Sequence, residues 1–232
     1  MQFSPHHSHD VDIDAALDFI DTLELEHGEP VDHLKQPSDA LHWLREHGLV
    51  HPGPLDPALL RLTRRGAAAE NGLARVREVR AALREIVDAT VEERPPARSA
   101  LDTVNWAMRA HQRLVLVAGP DGVSLDHRHV GDPLGDALAR IAERVSREVS
   151  GDRSDRLRIC ANPECRWAFF DSSRTGRRRW CDMATCGNRA KAARHRARVR
   201  AATAPDGQAA EPGVRDVWAD NIEASSGQSL DA

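Results

Sequence analysis

The sequence predicts an α+β protein: a mainly helical N-terminal domain carrying one small β-hairpin, then a small cysteine-bearing module that ends in a basic helix. Three observations carry this. Through most of the first 150 residues, apolar side chains recur at helical spacing between Gly- and Pro-marked breaks. One apolar run, Arg113 to Val117, is followed by Gly119-Pro120-Asp121-Gly122 and a return run from Val123, the pattern of a hairpin. All four cysteines of the 232-residue chain lie between positions 160 and 186, just ahead of a stretch crowded with arginine.

Taken in order, the opening MQFSPHHSHD reads as a frayed terminus that lacks the basic and apolar stretches of a signal peptide; His6, His7 and His9 offer adventitious metal binding at most. Val11 to Leu25 is expected to be the first helix, with Ile13, Ala16, Leu17, Ile20 and Leu23 inward and Asp12, Asp14, Asp18 and Asp21 solvated. Ser38 is expected to cap a helix from Asp39 to His47, with Leu41 and Leu44 inward, Trp43 beside them and Gly48 past its end. Asp56-Pro57 is a helix start. The segment Ala58 to Glu93 then reads as helical, interrupted near Gly66 and Asn71-Gly72. Its stripe is Leu73, Val76, Val79, Leu83, Ile86 and Val87, and Arg75, Arg77, Arg80 and Arg84 are expected on its wet face. After Pro95-Pro96, Ser99 is expected to cap Ala100 to His111. The hairpin follows, then a helix with Leu134, Leu138, Ile141, Val145 and Val149 inward, ending at Gly151.

The four cysteines form two pairs, Cys160/Cys165 and Cys181/Cys186, each with four residues between its members and fifteen between the pairs. Two close pairs so separated fit a closed tetrahedral site of four thiolates, a single structural zinc. Disulfides and unrelated thiols are the alternatives. Disulfides suit an oxidising compartment, whereas an opening without signal-peptide features makes the reducing cytoplasm the expected location. A catalytic zinc keeps a position open for water, and four cysteines leave none. Leu157-Arg158-Ile159 and Trp167 to Asp171 are expected to be short strands around the first knuckle, with Trp167, Phe169, Phe170 and Trp180 as the module's own small core.

Charge separates the same regions. Residues 151–200 hold fourteen Lys and Arg against five Asp and Glu, a net of +9 in a chain whose total is −4, so the remainder carries −13. An acidic body with one basic module points to a polyanionic partner. After Cys186, Ala190, Ala193, Ala197 and Ala201 fall at helical spacing, a face small enough to pack on the knuckles. The candidate phosphate contacts are Arg177, Arg178, Arg179, Arg189, Lys191, Arg194, Arg196, Arg198 and Arg200. Residues 202–232, rich in Ala, Gly, Pro, Asp and Ser, are expected to be disordered, with Trp218 isolated among them. No run of eighteen apolar residues occurs, so no transmembrane helix is expected.

Cys186-Gly187-Asn188-Arg189, followed by Lys191-Ala192-Ala193-Arg194-His195-Arg196-Ala197-Arg198, resembles the CGNR zinc finger, and Trp180-Cys181 and the Cys160/Cys165 pair fall where that family has them. Leu17-Asp18-Phe19-Ile20-Asp21-Thr22 is similar to the opening of the ABATE domain, with Asp21 where Asn is usual. The resemblance implies a treble-clef-like zinc finger over 155–201 joined to an ABATE-like α/β domain over 1–150. It further implies a bacterial, stress-induced transcription regulator in which the N-terminal domain senses a ligand or stress signal and the finger meets DNA. An unidentified small-molecule effector and a homodimer are compatible with that reading; a membrane partner is not expected. The residues alone establish a polyanion-binding zinc module, so an RNA-binding or protein-docking module stays open. An enzyme is not expected: no nucleophile elbow, P-loop, HExxH or Rossmann glycine motif occurs.

Overall fold

The computed structural model describes residues 11–26, 28–50, 59, 66–109, 112–119, 122–129 and 132–203. The N-terminal histidines, the Asp56-Pro57 helix start and the tail beyond 203 lie outside them. The chain is mixed α/β: a mostly helical N-terminal part with small hairpins, then a small cysteine-rich module and a helix.

Helix α1, Ile13–Ile20, is capped by the Asp12 carboxylate, which accepts from the Asp14 N–H at 3.2 Å, and it buries Ile13, Ala16, Leu17, Phe19 and Ile20. It stops at Asp21, short of the expected Leu25. The next residues, Leu23-Glu24-Leu25-Glu26, alternate with period two and form β1, Leu23–Glu26. Strand β1 pairs antiparallel with β2, Glu29–Asp32, in the register Leu23↔Asp32 to Glu26↔Glu29. Leu23 satisfies both periods, which is why the helical stripe concealed this hairpin.

Helix α2, Pro37–Glu46, starts one residue before Ser38: the Gln36 N–H donates to the Asp39 carboxylate at 2.8 Å and Pro37 takes the first turn. Gly48 follows with φ +65°, as expected of the residue that ends a helix. Helix α3, Ala67–Val91, runs unbroken through Asn71-Gly72, and α4, Arg98–Ala107, is opened by Ala97 rather than Ser99. Strands β3, Gln112–Gly119, and β4, Gly122–His129, make the foreseen hairpin, longer than expected and in the register Gln112↔His129 to Gly119↔Gly122. Helix α5, Pro133–Val149, is capped by Asp132.

Helix α3 is the centre of the fold, and burial extends round most of its circumference rather than along one stripe. A wet stripe remains at Glu70, Asn71, Ala74 and Glu78, but Arg80 and Arg84, expected on it, are buried. Arg80 is 3 % exposed and Arg84 1 %. Arg80 grips Asp32 with two hydrogen bonds, at 2.7 and 2.8 Å, and donates to Thr22 Oγ1 at 3.0 Å. Arg77 donates to the Leu34 carbonyl at 2.7 Å. Asp21, expected in solvent, is 4 % exposed. Guanidinium and carboxylate enter the core together because each supplies the other's partner.

The C-terminal part begins with β5, Leu157–Ile159, paired antiparallel with β6, Ala168–Phe170. This hairpin packs on α1 and α3. Leu157, Ala168 and Phe170 join the main hydrophobic core, whereas Phe169 belongs with the cysteines.

Candidate metal centre and basic surface

The first knuckle grows out of β5. The Cys160 N–H donates to the Trp167 carbonyl at 2.8 Å, and the Cys165 and Arg166 N–H groups both donate to the Asn162 carbonyl, at 3.0 and 3.1 Å. Arg166 takes φ +53° to turn the chain back into β6. The second knuckle is closed by Asp182, whose carboxylate accepts from the Thr185 N–H at 2.7 Å and whose carbonyl accepts from the Gly187 N–H at 3.0 Å. A Cβ at Gly187 would stand 2.6 Å from the Met183 sulfur, so any larger residue there would push the Met183 side chain aside. The two knuckles are tied directly: the Ala161 N–H donates to the Arg179 carbonyl at 2.8 Å. Buried Asp171 accepts from the Ser173 and Arg178 N–H groups at 3.0 and 2.8 Å, anchoring the loop between them. Burial opposes that carboxylate's charge, but the hydrogen bonds outweigh it and hold its pKa below the usual carboxylate range.

These knuckles bring all four cysteine sulfurs within 4.8 Å of one another. Cys181 Sγ lies 3.7 Å from both Cys165 Sγ and Cys186 Sγ. A tetrahedron with Zn–S of about 2.3 Å has edges of about 3.8 Å, so the donor set fits zinc closely. Bonded disulfides would stand at about 2.05 Å, and the four cysteines are free. Hydrogen bonding with Cys165 holds the Cys160 thiol far below its usual range, the same contact holds Cys165 far above, and a hydrogen bond to Cys160 raises Cys181. Four thiolates this close need a cation between them. The cysteines are thus a zinc-binding site, and zinc bound there would supply the cross-link that holds the knuckles together. The sequence marks Asn162 only as a turn residue. It is buried, and its side-chain N–H donates to Cys186 Sγ at 3.8 Å, supporting a ligand from behind.

Among the described residues, three hydrogen bonds join the centre to the end of α1, to β1 and to α3. The Ala168 N–H donates to Asp21 Oδ1 at 3.0 Å, Trp167 Nε1 to Glu24 Oε2 at 2.7 Å, and Arg84 to the Arg166 carbonyl at 2.8 Å. Burial pushes the Asp21 carboxyl well above its ordinary pKa, against the opposing pull of Arg84 and the Ala168 N–H. Phe170, expected in the module's own core, faces the main core; Phe169, Trp167 and Trp180 stay with the cysteines as expected.

A π-type turn, Met183–Gly187, leads into α6, Asn188–Thr203. Arg177, Arg178, Arg179, Arg189, Lys191, Arg194, Arg196 and Arg198 are all exposed; the Arg200 side chain lies outside the described residues. Arg179, Arg189, Arg194 and Arg196 share a cleft of about 430 Å³ with Asn162 and Trp180. Arg178 differs from its neighbours. Its guanidinium donates to the Cys181 carbonyl and lies 5.1 Å from the Phe169 ring centroid, bracing the knuckle. The alanine face meets the knuckles only at the first turn: Ala190 is half-buried, whereas Ala193 and Ala197 are exposed.

Among the described residues no helix is long and apolar enough to cross a membrane. Two families match. The CGNR zinc finger covers residues 156–199. The ABATE family, described as "Putative stress-induced transcription regulator", covers residues 14–152, more than half of the chain. No curated protein matches. The chain belongs to the ABATE family and carries a CGNR zinc finger at its C-terminal end.

Proposed function

We propose that this chain is a DNA-binding transcription regulator of the cytoplasm, acting at the nucleoid and without catalytic activity of its own. Residues 1–150 receive a ligand or stress signal, and the zinc finger over 155–201 contacts DNA. The observation that carries this reading is the cleft in which Arg179, from the loop between the knuckles, meets Arg189, Arg194 and Arg196 of α6. Zinc joins two basic segments into one surface, and α6 stands clear of the body with its arginines in solvent. Such a surface neutralises phosphates, which supplies affinity and a steep salt dependence, while sequence selection needs base-edge contacts in addition. Arg177, Lys191 and Arg198 extend the same charge; Arg178 acts mainly by holding the knuckle.

The test is affinity for duplex DNA against salt concentration, for the zinc-loaded protein and a variant combining Arg179→Ala, Arg189→Ala and Arg194→Ala. Each arginine–phosphate pairing removed should flatten the log–log slope by about one unit, with affinity falling across sequences. Identical slopes overturn the phosphate-binding reading. Tighter binding to structured RNA than to duplex DNA at the same salt, or no nucleic-acid affinity at all, would replace it with an RNA-binding or protein-docking module.

A further inference from the structure

A second cluster of metal-ligating side chains lies outside the cysteine centre. Strand alternation puts Glu24 and Glu26 on one face of β1. The ladder continues one step past β2, where the His33 N–H donates to the Thr22 carbonyl at 2.8 Å, and this brings His33 alongside. One donor atom from each of Glu24, Glu26 and His33 lies within 4.8 Å of the other two. His33 Nε2 is 2.5 Å from Glu24 Oε1, and the other oxygen of Glu24 accepts from Trp167 Nε1 at 2.7 Å.

From this geometry we propose that Glu24, Glu26 and His33 form a second, exchangeable site for a borderline divalent cation such as zinc. Two carboxylates and an imidazole suit such ions, whereas calcium and magnesium prefer oxygen alone. At metal–ligand distances of about 2.1 Å, neighbouring donors stand about 3 to 3.5 Å apart. Glu24 and His33 need only part by about 1 Å while Glu26 swings in, and the His33 side chain is 48 % exposed. The indole of Trp167 fixes the Glu24 carboxylate in the way that an outer hydrogen bond orients a metal ligand.

The surroundings favour a cation. Beside the cluster opens a cleft of about 350 Å³ whose wall carries Glu24, Glu26, Glu164 and Asp182 against one guanidinium, that of Arg189. Cys181 and Cys186 line its other side, and Trp167 packs on the cysteine cluster. An ion held by Glu24 therefore sits one side chain away from the thiolate centre, in the joint between the β1–β2 hairpin and the finger. Three protein ligands leave positions for water, so the site exchanges its ion where the four-thiolate site does not. Binding of this ion is independent of nucleic acid and is tested without it.

The experiment is a calorimetric zinc titration of the full chain already loaded with one zinc, with elemental analysis after gel filtration. His6, His7 and His9 are replaced by Gln beforehand, because three near-adjacent imidazoles bind zinc on their own. The expected result is one further ion per chain. Glu26→Gln and His33→Gln should each weaken that second event about tenfold or more and leave the first zinc in place, and Trp167→Phe should weaken it in the same direction. Glu26 is exposed on a hairpin, so its variant tests the site without disturbing the core. Saturation at the first zinc overturns the proposal, as does a second event that neither ligand variant alters. Displacement of the second ion by equimolar magnesium overturns the assignment of the imidazole.

Discussion

The guanidinium of Arg84 donates at 2.8 Å to the carbonyl oxygen of Arg166, 82 residues further along the chain. The same group donates to Asp88 at 2.9 Å and to Asp21 at 3.4 Å, all inside the protein. One side chain of the central helix thus holds the end of α1 and the turn of the first zinc knuckle together. Asp21 Oδ2 and Asp88 Oδ1 are buried without a hydrogen-bond partner, so both carboxylates lean on Arg84 for their other oxygen.

Arg84→Ala should therefore be severe. It strands two buried carboxylates and a buried carbonyl, and breaking a buried pair from one side costs about 3–5 kcal/mol. Arg84→Lys should recover only part of this, because an ammonium cannot reproduce the fork that reaches three acceptors. Urea denaturation midpoints check both; a loss below about 1 kcal/mol for the alanine variant would mean that water replaces the guanidinium.

The raised pKa of Asp21 gives stability a pH dependence whose sign can be stated. Its folded value lies above 3.8, so the stability it contributes is full below that value and is lost as pH rises through the folded pKa. Asp32 and Glu85 are lowered, so their contributions are lost instead as pH falls through their folded values, below 3.8 and 4.5 respectively. For Asp32, burial is outweighed by the hydrogen bond and charge of Arg80; for Glu85, the Arg94 hydrogen bond leads. Asp21→Asn keeps an oxygen for the Ala168 N–H and removes only the first titration. Its stability relative to the unchanged protein should be flat below 3.8 and improve as pH rises through the folded pKa of Asp21, measured as denaturant midpoints against pH.

Leu157, Ala168 and Phe170 complete the core built by α1, α3 and α5. A fragment ending at residue 150 uncovers that surface and should be less stable than the full chain by about 3 kcal/mol or more, given about 1.5–3 kcal/mol for each large apolar side chain buried. Thermal melting of fragment and full chain, both in chelator, isolates this effect from the zinc. Equal melting temperatures would show that residues 1–150 are self-sufficient.

Elemental analysis should find one zinc on the cysteines of protein prepared without chelator and freed of exchangeable ions, and Cys165→Ser should release it. Asn162→Ala should keep the zinc but weaken it by about 10- to 100-fold in chelator competition, because the amide behind Cys186 is gone. An unchanged affinity would reduce Asn162 to a turn former.

The zinc ligands were legible because cysteine is scarce in this chain and its spacing is chemically specific. Helix α5 and the β3–β4 hairpin were legible for a similar reason: one period dominates each. The β1–β2 hairpin was not, since Leu23 fits a helical stripe and a strand equally and four residues are too few to decide. The burial of Arg80 and Arg84 was hidden for another reason. Their partners Asp21 and Asp32 lie about fifty to sixty positions away, and an arginine among arginines on a helix looks solvated until the acid it meets is known. Glu24, Glu26 and His33 are inconspicuous in the sequence because only strand pairing makes them neighbours.

Strand β6 gives alternate side chains to different places, Ala168 and Phe170 to the main core and Phe169 to the cysteines. The CGNR module is consequently a poor cassette for transplantation. Grafted from residue 155 onto a foreign host, it would arrive with one greasy face bare and with its Trp167, Ala168 and Arg166 anchor points empty. Exchange between relatives should succeed only where the recipient's N-terminal part offers the matching acids, arginine and hollow, so these two parts of the chain are expected to diversify in step.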